Sequence, residues 1–396
     1  MEEKQDAKEL SRREFLRLGI ESAAGVCAFS LFYHLGVSPL NAAQTPAPTP
    51  TSPSADMFNT DARWWESAGR DNIVRCALCP HNCTVPDGAR GLCGVRENRG
   101  GKYKTLVYGR PVIQAIHIDP IEKKPLFHYL PAAKALSFGT AGCNFICKFC
   151  QNWDLAQSKP EAFKSEYISP KEMVALAKEK QTPVIACTYN EPTIFAEYVY
   201  DVAVEGNKEG IKTVMISNGF INEKPLRELC KVLSSIKIDF KAFTEKFYKE
   251  TCGGEMAPVM NTLKVLKETG IWFEMVTLII PTLNDDEKEN KEMCQWIIKN
   301  VGPDVPIHFS QFHPMFKLMN LPRTPLETLE KCHTFAKEAG IHYVYLGNVW
   351  NHKYENTFCP VCGKLLIRRQ GYFTKIEGLK ENMCSECGEK IAGVWG

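Results

Sequence analysis

From residue 135 onward the chain alternates short apolar runs with longer amphipathic stretches. Leu136–Phe138, Val184–Thr188, Thr213–Ile216, Ile236–Phe240, Phe273–Ile280, Ile307–Phe309 and Tyr343–Leu346 read as buried strands, since continuous apolar runs of this length suit a sheet covered on both faces. Helical stretches fall between them. One opens at Ser169-Pro170-Lys171-Glu172, with a serine N-cap, proline in the first turn and a glutamate placed to close a capping box. Others cover roughly 193–209, 223–233, 258–269, 286–300 and 325–339. Strands alternating with helices predict a parallel sheet, closed toward a barrel or doubly wound. In a barrel, chemistry belongs at the C-terminal ends of the strands. No internal repeat is evident.

The chain before residue 61 has a different character. Ser11-Arg12-Arg13-Glu14-Phe15-Leu16-Arg17 resembles a twin-arginine export signal. A mildly apolar run follows from Leu18 to Leu40, broken by Glu21 and His34, and then small residues at Ala42 and Ala43. The run is weakly hydrophobic for a membrane span, and the small residues suit cleavage. Residues 44–56 are rich in Pro, Thr and Ser, a composition that stays extended and builds no core. The expected organisation is a signal at 1–43, a linker at 44–60, a Cys-rich module at 61–110, a barrel at 111–350 and a C-terminal module at 351–396.

Of 396 residues, 44% are hydrophobic and 24% charged, with a formal net charge of +2. That supports a packed core and offers no polyanion-binding field, so no nucleic-acid partner is expected. The 17 cysteines are the outlying number. Disulfide frameworks suit short secreted chains without a core. Here eleven cysteines fall into clusters: Cys76, Cys79, Cys83 and Cys93; Cys143, Cys147 and Cys150; Cys359, Cys362, Cys384 and Cys387. Such grouping points to metal. Cys27, Cys187, Cys230, Cys252, Cys294 and Cys332 stand alone and read as small buried apolar residues. Cys252 merits watching, because it precedes Gly253-Gly254 in an expected loop.

The central group reads Gly142-Cys143-Asn144-Phe145-Ile146-Cys147-Lys148-Phe149-Cys150-Gln151-Asn152, directly after the first of the seven apolar runs. A structural zinc takes four ligands, and a complete cubane four thiolates. Three thiolates leave one iron of a 4Fe–4S cluster open to a ligand. The alternative is a zinc completed by a distant residue. This triplet resembles the signature of the radical S-adenosylmethionine (radical SAM) superfamily. Together with Asp119–Pro131, "TYNEPT" at 188–193, "SNGF" at 217–220, "DFKAF" at 239–243, "IIPTLND" at 279–285 and "FHP" at 312–314, it resembles the radical SAM enzymes of the AmmeMemoRadiSam system, relatives of the pyruvate formate-lyase activating enzymes.

The resemblance implies an α/β fold, a partial (β/α)6-type TIM-like barrel with small Cys-rich modules at either end. It implies reductive cleavage of S-adenosylmethionine to methionine and a 5′-deoxyadenosyl radical that takes hydrogen from a substrate. Glu191, with Asn190 beside it, matches the family position that meets the methionine amino group; only Glu-Pro of the family's Gly-Gly-Glu-Pro is kept. The bland alternative for Glu191 is a carboxylate at a helix start. Ser217 and Asn218 stand where ribose hydroxyls would be reached, or form a simple turn. Asp239 and Lys241 match an Asp-x-Lys that handles the methionine carboxylate, or pair structurally. His313 matches a late-strand histidine near the cofactor. The charged group Asp119, Glu122, Lys123, Lys124 and His128 reads as a solvated or structural turn rather than a substrate lip.

Cys359, Cys362, Cys384 and Cys387 form two knuckles, each followed by glycine, and suit zinc or a rubredoxin-like iron. Cys76, Cys79, Cys83 and Cys93 leave zinc and an auxiliary iron–sulfur cluster open. The leading reading is a radical SAM enzyme. Its rivals are a glycyl-radical-enzyme activating enzyme and a non-catalytic iron–sulfur electron carrier. Expected partners are a flavodoxin- or ferredoxin-like reductant and a protein substrate or components of the AmmeMemoRadiSam system. The signal points to export or a membrane tether, whereas S-adenosylmethionine and strong reductants belong to the cytoplasm.

Overall fold

The computed structural model describes residues 59–69, 71–349 and 353–396. The expected signal at 1–43 and nearly all of the linker lie outside the described residues.

The main sheet has eight strands: β1 (Ile116–Pro120), β2 (Lys134–Phe138), β3 (Val184–Cys187), β4 (Lys212–Ser217), β5 (Ser235–Asp239), β6 (Trp272–Ile279), β7 (Ile307–Gln311) and β8 (Val344–Gly347). They lie side by side in chain order. β1 pairs antiparallel with β2, and every later pairing is parallel. Each parallel crossover carries a helix: α1 (Pro170–Glu179), α2 (Ala196–Lys208), α3 (Glu223–Cys230), α4 (Met256–Thr269), α5 (Glu287–Asn300) and α6 (Leu326–Glu338). Six strand–helix units are thus followed by one more parallel strand. All seven apolar runs became strands because their side chains are covered on both faces, as in β3, where every residue is buried. α1 begins as its sequence requires: Ser169 Oγ accepts from Glu172 N–H, and Glu172 Oε2 accepts from Ser169 N–H.

The sheet is curled. Eight flat strands at about 4.8 Å spacing would hold their outer members roughly 34 Å apart. Instead Lys124, just past β1, and Asn348, just past β8, line one cavity. Further along the same segment, His128 Nε2 lies 2.6 Å from the Tyr345 hydroxyl of β8. The two edge strands do not pair with each other, so the barrel is incomplete.

The segment after β1 closes the N-terminal end of the barrel. Glu274, near the start of β6 and fully buried, accepts the backbone N–H of Phe127 (3.0 Å) and His128 (2.7 Å) and lies 2.9 Å from His308 Nε2. These groups satisfy a carboxylate that burial alone would penalise. The C-terminal module covers the segment from outside. Arg369 donates to Phe127 O at 2.7 Å and lies over the Phe127 ring, 4.2 Å from its centroid. Leu130 N–H donates to Val394 O, and Val394 N–H to His128 O. The charged turn is structural and, apart from Lys123, not solvated: Asp119, Glu122, Lys124 and His128 are all buried, because this turn forms the floor of the barrel.

Small antiparallel sheets make up the two ends of the described chain. Near the N-terminus, Trp65–Ser67, Val74–Cys76 and Thr84–Val85 form one, and Thr60–Asp61, Lys102–Thr105 and Arg96–Arg99 another. Near the C-terminus, Thr357–Phe358, Leu365–Gln370 and Phe373–Ile376 form a third. Among the described residues, no helix is long and apolar enough to cross a membrane. Replacing Glu274 with alanine strands two buried N–H groups and His308, and is expected to cost about 3–5 kcal/mol. Denaturant unfolding of the holoprotein measures this; a loss below about 1 kcal/mol would contradict the role given to the carboxylate.

Candidate active site

The loop 140–152 leaves the C-terminal end of β2 and carries three thiols into the barrel mouth. A loop can be buried only if its backbone groups find partners. Asn190, just past β3, supplies several: its Oδ1 accepts Thr140 N–H at 3.0 Å, and its Nδ2 donates to Gly142 O at 2.8 Å. Asn144 Nδ2 donates to Phe220 O at 2.9 Å and Asn144 Oδ1 accepts from Asn218 Nδ2 at 2.8 Å. Ile146 N–H and Lys148 N–H donate to Cys252 O and Thr251 O. The last two belong to a π-helical turn, Tyr248–Cys252, where a loop was expected. Its close approach depends on glycine: a Cβ on Gly253 would come 2.5 Å from Ile146 Cγ1, and one on Gly254 would collide with the Phe145 ring.

Cys143, Cys147 and Cys150 line a cavity of about 1,410 Å3 of atom-free space, part of it open to solvent. Glu191, Asn218, Lys237, Asp239 and Lys241 line the same space. Phe145 N–H points at Cys143 Sγ, 3.3 Å away, a contact that also favours a thiolate bound to metal. Burial pushes the Cys143 thiol up, and the Cys150 thiol to about 11. Cys147 is lowered instead, chiefly because the Cys252 thiol donates to it, against burial and with help from Lys241. Cys252 is therefore a neighbour of the triad, which a lone cysteine in sequence does not reveal.

Glu191 is buried and held from three sides: Thr193 N–H (2.9 Å), Ser217 Oγ (2.7 Å) and Asn218 N–H (2.7 Å). Burial raises its pKa and these donors oppose the rise. It caps the short helical turn Pro192–Phe195, so the bland reading describes part of its role. A carboxylate has about four acceptor positions; three donors leave one for a cation in the cavity. Ser217 bonds to Glu191 and does not line the cavity; it positions the carboxylate, contrary to the ribose expectation. Asn190 lines the cavity but spends its amide on the loop.

At the end of β5, Asp239 lies between Lys237, with which it forms a short ion pair, and Lys241 at 3.3 Å. Burial opposes its charge, yet the two lysines hold its pKa down at about 2. Burial also opposes the charge on Lys241, and Asp239 with the nearby thiols outweighs it. Lys237 was not singled out in the sequence. Its signal was available: 237, 239 and 241 alternate along one strand and so share a face. At the floor of the barrel, Asp119 accepts from Lys123, Lys124 and Tyr189 Oη, and both lysines line the same cavity from below.

His313 is not among the residues that line the cavity; its Nδ1 accepts from Arg323 Nε at 3.1 Å. Ser310, three positions earlier in β7, lines the cavity instead. The turn after β7 carries residue 313 away from the strand axis.

Cys359, Cys362, Cys384 and Cys387 gather at a separate site, their sulfurs all within 4.8 Å of one another. Cys359–Cys387 is 3.6 Å and Cys362–Cys384 is 3.7 Å. Gly363 and Gly388, both at φ 73°, close the matching knuckles. Cys76, Cys79, Cys83 and Cys93 line another pocket, which Asn144 of the triad loop also lines. Replacing Gly254 with alanine puts a methyl into the fully packed Phe145 ring and should cost about 1–3 kcal/mol. It should also lower the iron taken up on anaerobic reconstitution; unchanged iron and stability would show that the π-helical turn does not set the loop.

The radical SAM superfamily matches residues 138–294. An uncharacterized protein of Methanocaldococcus jannaschii is 42% identical over 323 residues, which is 81% of this chain and 96% of that relative. The pyruvate formate-lyase-activating enzyme of Clostridium pasteurianum is 22% identical over 211 residues, covering 50% of this chain and 87% of the relative. Among solved structures, a domain of the pyruvate-formate lyase-activating enzyme from Bacteroides vulgatus superposes with a TM-score of 0.37 at 16% identity, over 41% of this chain and 98% of that one. The chain belongs to the radical SAM superfamily and is an enzyme related to the pyruvate formate-lyase-activating enzymes.

Proposed function

We propose that the protein reductively cleaves S-adenosylmethionine and uses the product radical on a substrate that enters the barrel mouth. One observation carries this reading: three thiols on one loop share a cavity with Glu191, Asp239 and Lys241. Superfamily membership implies a 4Fe–4S cluster and S-adenosylmethionine. The residues fit both. Cys143, Cys147 and Cys150 would hold three irons and leave the fourth for the methionine amino and carboxylate groups. When bound, the reduced cluster supplies the electron that splits the sulfonium into methionine and a 5′-deoxyadenosyl radical.

The remaining work falls to the protein. The open acceptor position of Glu191 faces an ammonium group, a charge-assisted contact. Lys241, kept charged by Asp239, offers a counter-ion for a carboxylate. Asn218, which lines the cavity beside Glu191, is placed for a polar group of the nucleoside. Phe145, Phe149, Val276 and Leu278 form apolar wall, which limits the water that would quench a radical.

The motifs outside the loop favour an enzyme of the AmmeMemoRadiSam type. Activation of a glycyl-radical enzyme is the less favoured alternative, since the activating-enzyme relatives are distant. A multi-cluster electron carrier would have no need of the Glu191, Asp239 and Lys241 arrangement. A flavodoxin- or ferredoxin-like protein is the proposed reductant, and a protein or peptide the proposed substrate. The twin-arginine-like segment supports export or a membrane tether as the proposed location, with the cytoplasm as alternative.

The four C-terminal cysteines are proposed to hold zinc. Tetrahedral Zn–S bonds of about 2.3 Å place sulfurs about 3.8 Å apart, close to the separations found. Cys387→Ala should remove about one zinc per chain in elemental analysis and leave sulfide content unchanged. Loss of iron instead would assign a rubredoxin-like site.

Anaerobic protein with dithionite and S-adenosylmethionine should form 5′-deoxyadenosine. Cys147→Ala should abolish it, a fall of at least about 100-fold. No product while the cluster is fully loaded would overturn the reading.

A further inference from the structure

We propose that Cys76, Cys79, Cys83 and Cys93 hold a second iron–sulfur cluster of the four-iron cubane type, seated against the wall of the triad's loop. The four thiols line one pocket of about 310 Å3 of atom-free space, part of it open to solvent. Their spacing differs from that of the C-terminal four. Among the described residues, the group with ligand atoms all within 4.8 Å of one another is Cys359, Cys362, Cys384 and Cys387. The N-terminal four are not drawn together in that way, and neither is the triad. One metal ion pulls four sulfurs to about 3.8 Å. A cubane binds each thiolate to a different iron, so its sulfurs stand apart by the width of the core. The N-terminal site thus matches the zinc-type site in ligand number and not in spacing.

A second, independent observation concerns donors. Tyr103 Oη, Arg96 Nε and Thr193 Oγ1 are buried without a hydrogen-bond partner in the protein. All three residues line this cavity. Buried donors left unpaired cost about 1–3 kcal/mol each, and three around four thiols is the environment an anionic sulfide-bearing group requires. Gly91 keeps this corner open: a Cβ there would lie 2.9 Å from Tyr103 Oη and 3.7 Å from Cys83 Sγ. Arg96 spends its terminal nitrogens on the buried Glu197, at 2.9 and 2.7 Å, which leaves Nε for the cavity.

The two cysteine sites share a wall. Asn144, next to Cys143, lines the N-terminal cavity. His81, two residues after Cys79, lies with its Nε2 2.7 Å from Asn144 O. A Cβ on Gly142 would come 2.7 Å from Cys93 O. One hydrogen bond therefore links the peptide bearing one set of thiols to the peptide bearing the other. A single electron from a flavodoxin- or ferredoxin-like donor passes from the second cluster to the first without any bond forming or breaking. This electron-relay role rests on the reading of the triad as a cluster site; the presence of the second cluster does not.

The test is anaerobic reconstitution of the full-length C143A/C147A/C150A chain with iron and sulfide. The expected result is roughly four irons and four acid-labile sulfides per chain, with Mössbauer parameters of a cubane. Zinc uptake without sulfide, or iron without sulfide, overturns the proposal. A second variant guards against misfolding: Cys83→Ser in the otherwise intact chain should reduce iron and sulfide from roughly eight each to roughly four. An unchanged content in that variant also overturns it. In the reduced intact chain, electron paramagnetic resonance should show spin coupling that is absent from the C143A/C147A/C150A chain; two uncoupled signals would overturn the relay role. Absence of a second cluster with 5′-deoxyadenosine still formed sinks this proposal alone. Absence of that product with both clusters loaded sinks the proposed reaction alone.

Discussion

Everything at the barrel mouth depends on burying the loop 140–152 without leaving its backbone unpaired. Three thiols close together in a partly dry cavity are costly as anions, and a loop that carries them has no secondary structure of its own to satisfy its amides. The protein solves this with side chains of the loop itself and with groups brought from elsewhere in the chain. Asn190 pairs with the loop's backbone at Thr140 and Gly142, the loop's own Asn144 ties it to Phe220 O, and the turn Tyr248–Cys252 supplies two carbonyls. Gly142, Gly253 and Gly254 permit the approach.

Charge in the cavity follows the same logic. Lys237, Asp239 and Lys241 alternate on one strand face, so a single carboxylate serves two ammonium groups. Asp119 does the same for Lys123 and Lys124 at the floor of the cavity. Each acid has more cation around it than it neutralises. The excess is positive charge facing the cavity, suited to ligands that bring carboxylate or anionic cluster charge. Glu191 is the exception, a carboxylate held by neutral donors, and so is the place for a cation.

The closed end of the barrel is built quite differently. Glu274, His128, His308 and Arg369 make a buried polar layer with aromatic rings between them. The cysteine-bearing C-terminal module seals that layer by holding residues 127–130 through backbone bonds. Its cysteine pairs pack on the floor side, with Cys359 and Cys384 beside Phe127, while the N-terminal thiols abut the mouth. Two four-cysteine sites in one chain thus serve opposite ends of the same barrel.

Much of this was legible along the chain. The apolar runs marked the seven parallel strands because burial on both faces leaves no polar alternation, and the capping box at Ser169 marked α1 because its partners are local in sequence. The cysteine groups marked metal, since ligand spacing is also local. What sequence could not show were the partnerships across long separations. Ser217 turned to Glu191 and His313 to Arg323, because a strand end can aim a side chain into the barrel or beside it, and only the packed neighbours decide. The charged turn after β1 became the barrel floor, since curling of the sheet is set by all eight strands together. Cys252 met Cys147, and the N-terminal thiols met the triad loop, through contacts that close packing alone creates. Residue type and local spacing determined which chemistry the chain can carry; the tertiary structure decided which groups face one another, because direction in space is a property of the packed whole.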